Sequence, residues 1–208
     1  MPSHGLPLLE LLDWRRAIAE LYARIRAGPD PEVAWSDWRA TRDRLFAEHP
    51  QSPIPSRDRA AFAGLSYAPY DPSFRVLATL EPARPERLDI GTSTGGSTAF
   101  TRFATARFEL DGKEQALQAY WLEGYGGGLF VSFRDATSGR ESYGAGRYLL
   151  DTVKGADLGS DGQRVVFDFN FSYNPSCAYD PRWSCPLAPP DNRLATPVPA
   201  GELAPVRL

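Results

Sequence analysis

The residues best suited to chemistry lie late in the chain. Asp168, Asn170 and Ser172 alternate there with Phe167, Phe169 and Phe171. A strand of period two puts the three aromatics on one face and the three polar groups on the other. The polar face is either the solvated side of a half-buried strand or the wall of a polar pocket. The strand runs straight into Tyr173-Asn174-Pro175 and a loop holding both cysteines, which favours the pocket. In a pocket, a carboxylate at Asp168 or Glu202 is a candidate base, and a suitably spaced pair can act as acid and base. The amides of Asn170, Asn174 and Asn192 would orient a ligand by hydrogen bonding. Arg147, beside Tyr148 and among apolar residues, needs an anion, since an unpaired buried guanidinium is costly. Asp168, Glu202 or an anionic ligand are the candidates, a structural ion pair being the plainer outcome.

Cys177 and Cys185 bracket Ala-Tyr-Asp-Pro-Arg-Trp-Ser, a spacing that is neither a zinc knuckle nor a thioredoxin motif. They read as structural thiols or as a disulfide, which would contribute roughly 2–3 kcal/mol by loop closure. Redox chemistry and a metal site are the other readings. A metal would need two further ligands; His4 and His49 lie far away in sequence, and only carboxylates such as Asp168 or Glu202 could serve, so none is expected. His49 precedes a proline and suits a helix C-terminus as a cation. Gly91-Thr-Ser-Thr-Gly95-Gly96 lacks the lysine of a phosphate loop, and Tyr143-Gly144-Ala-Gly146-Arg147 lacks the following helix of a dinucleotide fingerprint. No motif indicates a cofactor.

The elements that must position these groups fall into two kinds. Leu8 to Ala27 has helical spacing, with Leu8, Leu11, Leu12, Ile18, Leu21, Tyr22 and Ile25 as its apolar side, and Gly28-Pro29 ends it. A second helix is expected from Pro31 to about Glu48, capped by Asp30, with Val33, Trp38, Leu45 and Phe46 inward. Ser56 to Gly64 reads as one or two helical turns. Strands are then expected over 74–80, 88–91, 99–110, 115–122, 129–133, 146–152 and 164–171. Asp111-Gly112 is the strongest hairpin signal. Short connections favour an antiparallel meander, so the expected fold class is mainly β with N-terminal helices (α+β), an antiparallel β-barrel or sandwich flanked by two to three helices. Residues 1–66 would form the helical region, packing on a β domain over 67–208 with an irregular C-terminal loop, as one globular unit.

The chain has 208 residues, 42% of them hydrophobic and 12% aromatic, enough to bury a core without metal or disulfide. The net charge is −3, and only Lys113 and Lys154 are lysines, the other basic residues being arginines. No basic stripe is present, so a nucleic-acid partner is not expected. The N-terminus has no basic region, and Glu10 and Asp13 interrupt its apolar run. It therefore reads as neither signal nor membrane span, and the protein as soluble and cytoplasmic, without a membrane partner.

Several spaced motifs resemble one family. They are Tyr143-Gly144-x-Gly146-Arg147-Tyr148, Asp168-Phe169-Asn170-x-x-Tyr173-Asn174-Pro175-x-Cys177, Cys185-Pro186-Leu187-x-Pro189-Pro190-x-Asn192-Arg193-Leu194 and Ala200-Gly201-Glu202. Upstream, Trp38-Arg39, Ser52-Pro53, Phe62-x-Gly64-Leu65-x-Tyr67 and Asp71-Pro72 fit the same pattern. Together they resemble the DUF1684 family of bacterial and archaeal proteins. The resemblance implies no catalytic residues, because the family has no assigned activity. Its exported members would hold the two cysteines oxidised.

The expectation from the residues is a site for a small polar or anionic molecule formed by the C-terminal motif. Arg147, Tyr148, Asp168, Asn170, Asn174 and Asn192 would line it, with Asp168 or Glu202 as base if a reaction occurs. The alternative is a non-catalytic protein whose C-terminal loop wraps the β domain or meets a protein partner, its polar residues bonding to loop backbone.

Overall fold

The structure, a computed structural model, describes residues 6–162 and 164–206; His4 lies outside the described residues. Helix α1 (Pro7–Ala27) starts on a proline and ends at Gly28, whose N–H donates to the carbonyls of Arg24 and Ile25. Helix α2 (Pro31–Glu48) begins as expected, with the Asp30 carboxylate accepting from the N–H groups of Glu32 and Val33. Only the second half of α1 is buried, through Leu21, Tyr22 and Ile25, whereas Leu8 is 80% exposed. In α2 the inward stripe is Trp35, Trp38, Arg42, Leu45 and Phe46. Val33 does not belong to it, because it stands about 140° round the helix from Trp38. The expected turns over 56–64 reduce to one 3-10 turn, Arg59–Ala61.

Seven strands follow: β1 (Arg75–Gly91), β2 (Ser97–Leu110), β3 (Lys113–Leu122), β4 (Leu129–Phe133), β5 (Arg147–Asp151), β6 (Ser160–Asp161) and β7 (Arg164–Asp168). They form one antiparallel sheet in the order β5-β4-β3-β2-β1-β7-β6. The two strands expected over 74–80 and 88–91 are one long strand. Its register against β2 shifts between Pro82 and Glu86, where Pro82 and Pro85 cannot donate to the ladder. Asp111 (φ 53°) and Gly112 (φ 66°) both adopt the left-handed conformation, the mark of a type I′ hairpin turn.

The expected class, a mainly antiparallel β fold with N-terminal helices, holds, but the sheet is not closed as a full barrel would be. A backbone bridge joins Tyr148 of the edge strand β5 to Tyr173, in the segment that follows β7. Closure fails because β7 stops at Asp168. The carboxylate of Asp168 accepts from the Asn170 N–H and bends Phe169–Phe171 into a 3-10 turn, where a strand to residue 171 was expected. All of Asp168, Phe169, Asn170 and Phe171 are buried, so period two has no solvated face to reveal.

The main core lies on one face of the sheet and includes Ala104, Ala106, Leu117, Ala119, Val131, Phe133, Leu149 and Phe167. Trp38 packs on it against Phe171 at 5.4 Å, and its indole N–H donates to the Tyr22 hydroxyl, joining α2 to α1. A smaller cluster of Ile90, Phe100, Tyr120, Phe130 and Tyr148 packs separately. Strands β4 and β5 are therefore buried on both faces, including the polar Ser132, Arg147 and Asp151.

A C-terminal strap and the cleft beneath it

From Cys185 onward the chain forms an irregular strap that touches both clusters. Near its start, the Pro186 carbonyl accepts from the Tyr148 hydroxyl. Further on, Leu194, Val198 and Ala200 enter the main core. A strap of this kind has no ladder of its own, so side chains must satisfy its backbone and that of the strands it meets.

Asn192 does this for the sheet. Strands β3 and β4 pair only through Tyr120–Phe130 and Trp121–Leu129, and then separate. The Asn192 amide fills the split: its oxygen accepts from Gln118 N–H at 2.7 Å, and its nitrogen donates to the carbonyls of Gln118 (3.0 Å) and Ser132 (2.8 Å). The residue is fully buried.

Arg147 does it for the strap. Its guanidinium donates to the backbone carbonyls of Val198 (2.9 Å), Ala200 and Glu202, and stacks 5.1 Å from the centre of the Phe133 ring. Its carboxylate partner is Asp135, at 2.6 Å, and not Asp168 or Glu202 as expected. Burial lowers the Arg147 pKa, and Asp135 opposes that shift. Asp135 also caps its own turn, accepting from the N–H and hydroxyl of Thr137.

Glu202 pairs instead with Arg42 of α2 at 2.7 Å and accepts from the Asn174 N–H at 3.0 Å. Burial raises its pKa against the pull of Arg42. Asn174 in turn donates to the Leu203 carbonyl at 2.7 Å. Gly201 has φ +76°, and a Cβ there would lie 2.6 Å from the Phe169 carbonyl, so glycine is required beside the 3-10 turn.

Asp168 and Asn170 sit apart from Arg147 and Glu202 as a third group. One Asp168 oxygen accepts from the Asn170 N–H and side-chain amide. Asn170 also bonds the backbone N–H and C=O of Asp71. The other Asp168 oxygen is buried without a hydrogen bond, with Arg75 Nε at 3.6 Å. Burial pushes the Asp168 pKa up to about 6, against the hydrogen bonds from Asn170 and the charge of Arg75. The expected site residues thus fall in different parts of the molecule, and most of their hydrogen bonds run to backbone.

Beneath the strap lies a cleft of about 590 Å3, lined by Leu88, Ile90, Leu187, Pro189 and Pro190, together with Tyr120, Arg134 and Arg193. Arg134 and Arg193 form a parallel backbone bridge. Arg134 Nε is buried and unpartnered, the one such side-chain atom among the described residues lining the cleft. Burial pushes the Tyr120 hydroxyl up to about 12, so it is a neutral donor at pH 7. Asp89 and Asp191 stand exposed at the cleft. Gly146 makes the close approach possible: a Cβ there would meet Ala188 Cβ and the Phe133 carbonyl, each at 2.7 Å. Sequence reasoning singled out neither Tyr120, Arg134 nor Asp135, which belong to ordinary strand and turn patterns. Arg193 was visible only within the longer motif.

The two cysteines are adjacent. Cys177 N–H donates to Cys185 Sγ at 3.3 Å, and neither is in a disulfide. His49 lies 3.3 Å from an Asp13 carboxylate oxygen, packs its ring on Trp14 and accepts from the Gln51 N–H. Among the described residues no three His, Cys, Asp or Glu side chains group as metal ligands, and no helix is long and apolar enough to cross a membrane.

Comparison with known proteins places these features. Residues 60–203 match a family model described as a protein of unknown function, DUF1684. The fold is similar to the solution NMR structure of an uncharacterised protein of Haloarcula marismortui, with a TM-score of 0.61 and 42% identity. That match covers 83% of this chain and 93% of the other. No curated protein matches the chain.

Proposed function

The chain belongs to the DUF1684 family of proteins of unknown function, and we propose that it binds a small amphipathic molecule with an anionic end in the cleft closed by its C-terminal strap. The observation that carries this reading is the pairing of Arg134 and Arg193 over an apolar floor, with a guanidinium N–H of Arg134 buried and unpartnered. The volume is in the range of small-molecule sites, and a few polar groups above an apolar lining is their usual composition. Arg134 and Arg193 would hold a carboxylate or phosphate, with the Tyr120 hydroxyl as a neutral donor. Leu88, Ile90 and Pro189 would take the apolar part. Arg147, Asn170, Asn174 and Asn192 act behind the ligand by holding the strap and its neighbours in place. Asp168, whose pKa burial raises to about 6, lies outside the cleft lining, and the reading includes no reaction.

A second reading has its own observation. Arg147, Asn174 and Asn192 direct their donors to backbone carbonyls, as expected of a strap that is purely structural. Calorimetric titration with octanoate and benzoate separates the two. Binding to the wild type, weakened about tenfold or more in Arg193→Ala, supports the cleft; tenfold corresponds to about 1.4 kcal/mol. Arg193 is exposed, so its loss leaves the fold intact. Absence of binding at millimolar concentration, or equal binding by the variant, would leave the strap as structure alone.

A further inference from the structure

We propose that Cys177 and Cys185 form a peroxide-responsive dithiol, in which Cys177 is the attacking sulfur and Cys185 resolves it to an intramolecular disulfide. The geometry is that of a pair and not of two isolated thiols. The Cys177 N–H donates to Cys185 Sγ at 3.3 Å, so the two residues are in direct contact. Their environments differ in the way the two roles require. Cys177 is partly exposed, whereas Cys185 is 5% exposed. The Tyr143 hydroxyl stands 4.0 Å from Cys177 Sγ. Tyr143 and Ala178, the neighbours of Cys177, line a second, open cleft of about 530 Å3, and Cys177 itself is partly exposed to a small oxidant.

The acidities agree with these roles. The hydrogen bond from Cys185 lowers the Cys177 pKa to about 6, and the same bond, followed by burial, raises that of Cys185. A thiolate is the nucleophile in peroxide reduction, and selectivity follows thiolate character and access. The Cys177 thiolate attacks one oxygen of hydrogen peroxide, the O–O bond breaks, and hydroxide leaves to be protonated to water. The Cys185 sulfur then attacks the Cys177 sulfenic acid. The S–S bond forms as the S–O bond breaks, and that oxygen departs as a second water with the Cys185 proton. Two thiols are oxidised and one peroxide is reduced.

The pair sits where such a change reaches the rest of the molecule. Cys185 N–H donates to Ser93 Oγ, and Cys185 C=O accepts from Ser93 N–H. The dithiol thus docks the β1–β2 connection at the point where the strap begins.

The test uses reduced, full-length protein. Differential alkylation with iodoacetamide at pH 7, followed by peptide mapping, is expected to label Cys177 at least about tenfold faster than Cys185. Hydrogen peroxide should then remove both free thiols in the monomer, with a mass loss of two hydrogens, and dithiothreitol should restore them. In Cys185→Ser a dimedone-reactive sulfenic acid should accumulate on Cys177, while Cys177→Ser should give none. Equal alkylation rates, bridging only between molecules, or thiols that survive peroxide would each overturn the proposal. The wild-type alkylation and mass measurements decide it even if a variant fails to fold.

Discussion

Replacing Asp168 by asparagine is expected to stabilise the protein at neutral pH, although the residue is buried and makes three polar contacts. One carboxylate oxygen accepts from both Asn170 donors, and the asparagine oxygen can accept the same two bonds. The other is buried without a hydrogen bond, and its nearest cation, Arg75, is 39% exposed at 3.6 Å. Burial raises the pKa from 3.8 to about 6. The folded protein therefore binds more protons than the unfolded chain between those values, so stability falls as pH rises through that window. At 1.36 kcal/mol per pH unit the cost is about 3 kcal/mol above pH 6, and it vanishes below 3.8. Asparagine removes this cost. It introduces an unpartnered amide, worth about 1–2 kcal/mol against it, and loses a partly screened ion pair worth under about 1 kcal/mol. The expected net gain is about 1 kcal/mol at pH 7.5, or about 2–4 °C in Tm for a chain of this size. Urea denaturation at pH 4.5, 5.5 and 7.5 measures it. Glu202, also buried and raised, titrates in both proteins and cancels in the difference. The decisive quantity is the difference between wild type and variant, which should change by about 2 kcal/mol between pH 4.5 and pH 7.5. A constant difference across that range would refute the assignment of a buried charge to Asp168.

Two further substitutions test the strap. Asn192→Ala removes all three hydrogen bonds that fill the split between β3 and β4, leaving buried backbone groups unpaired, and should cost about 3 kcal/mol or more by chemical denaturation. Gly201→Ala combines a left-handed backbone with a Cβ 2.6 Å from the Phe169 carbonyl, whereas Gly112→Ala, at φ +66° with open space around it, carries only the conformational cost. The first should therefore lose clearly more stability than the second, which is expected near 1 kcal/mol.

The parts of this fold legible in the sequence are those set by local chemistry. Asp30-Pro31 starts α2 because a carboxylate can cap two free N–H groups, and Asp111-Gly112 turns the β2–β3 hairpin because both residues tolerate positive φ. Both effects act within a few residues. The sheet edge was misread where a local cap overrides an alternating pattern, at Asp168 to Phe171. The candidate site was legible as a set of polar residues that need partners, but not as a set of partnerships. The cost of burying Arg147 can be reasoned from its neighbours, yet nothing in the chain near it selects Asp135 over Asp168. That choice depends on the turn after β4 bringing Asp135 under the guanidinium. Arg134 escapes notice for the opposite reason, since an arginine at a strand end has an ordinary solvated role, and Arg193 stands out only within the longer motif.

The ion pair between Arg42 and Glu202 joins residues 160 positions apart. At roughly 5–20 residues per second, a ribosome separates them by about ten to thirty seconds. During that interval α2 can form, but its buried guanidinium has no carboxylate, and the carbonyls that receive Arg147 have not yet been made. A nascent chain thus carries one cation, Arg42, whose carboxylate is made 160 residues later, whereas Arg147 already has Asp135 and lacks only its backbone acceptors. Docking of α2 is thereby timed to synthesis of the strap.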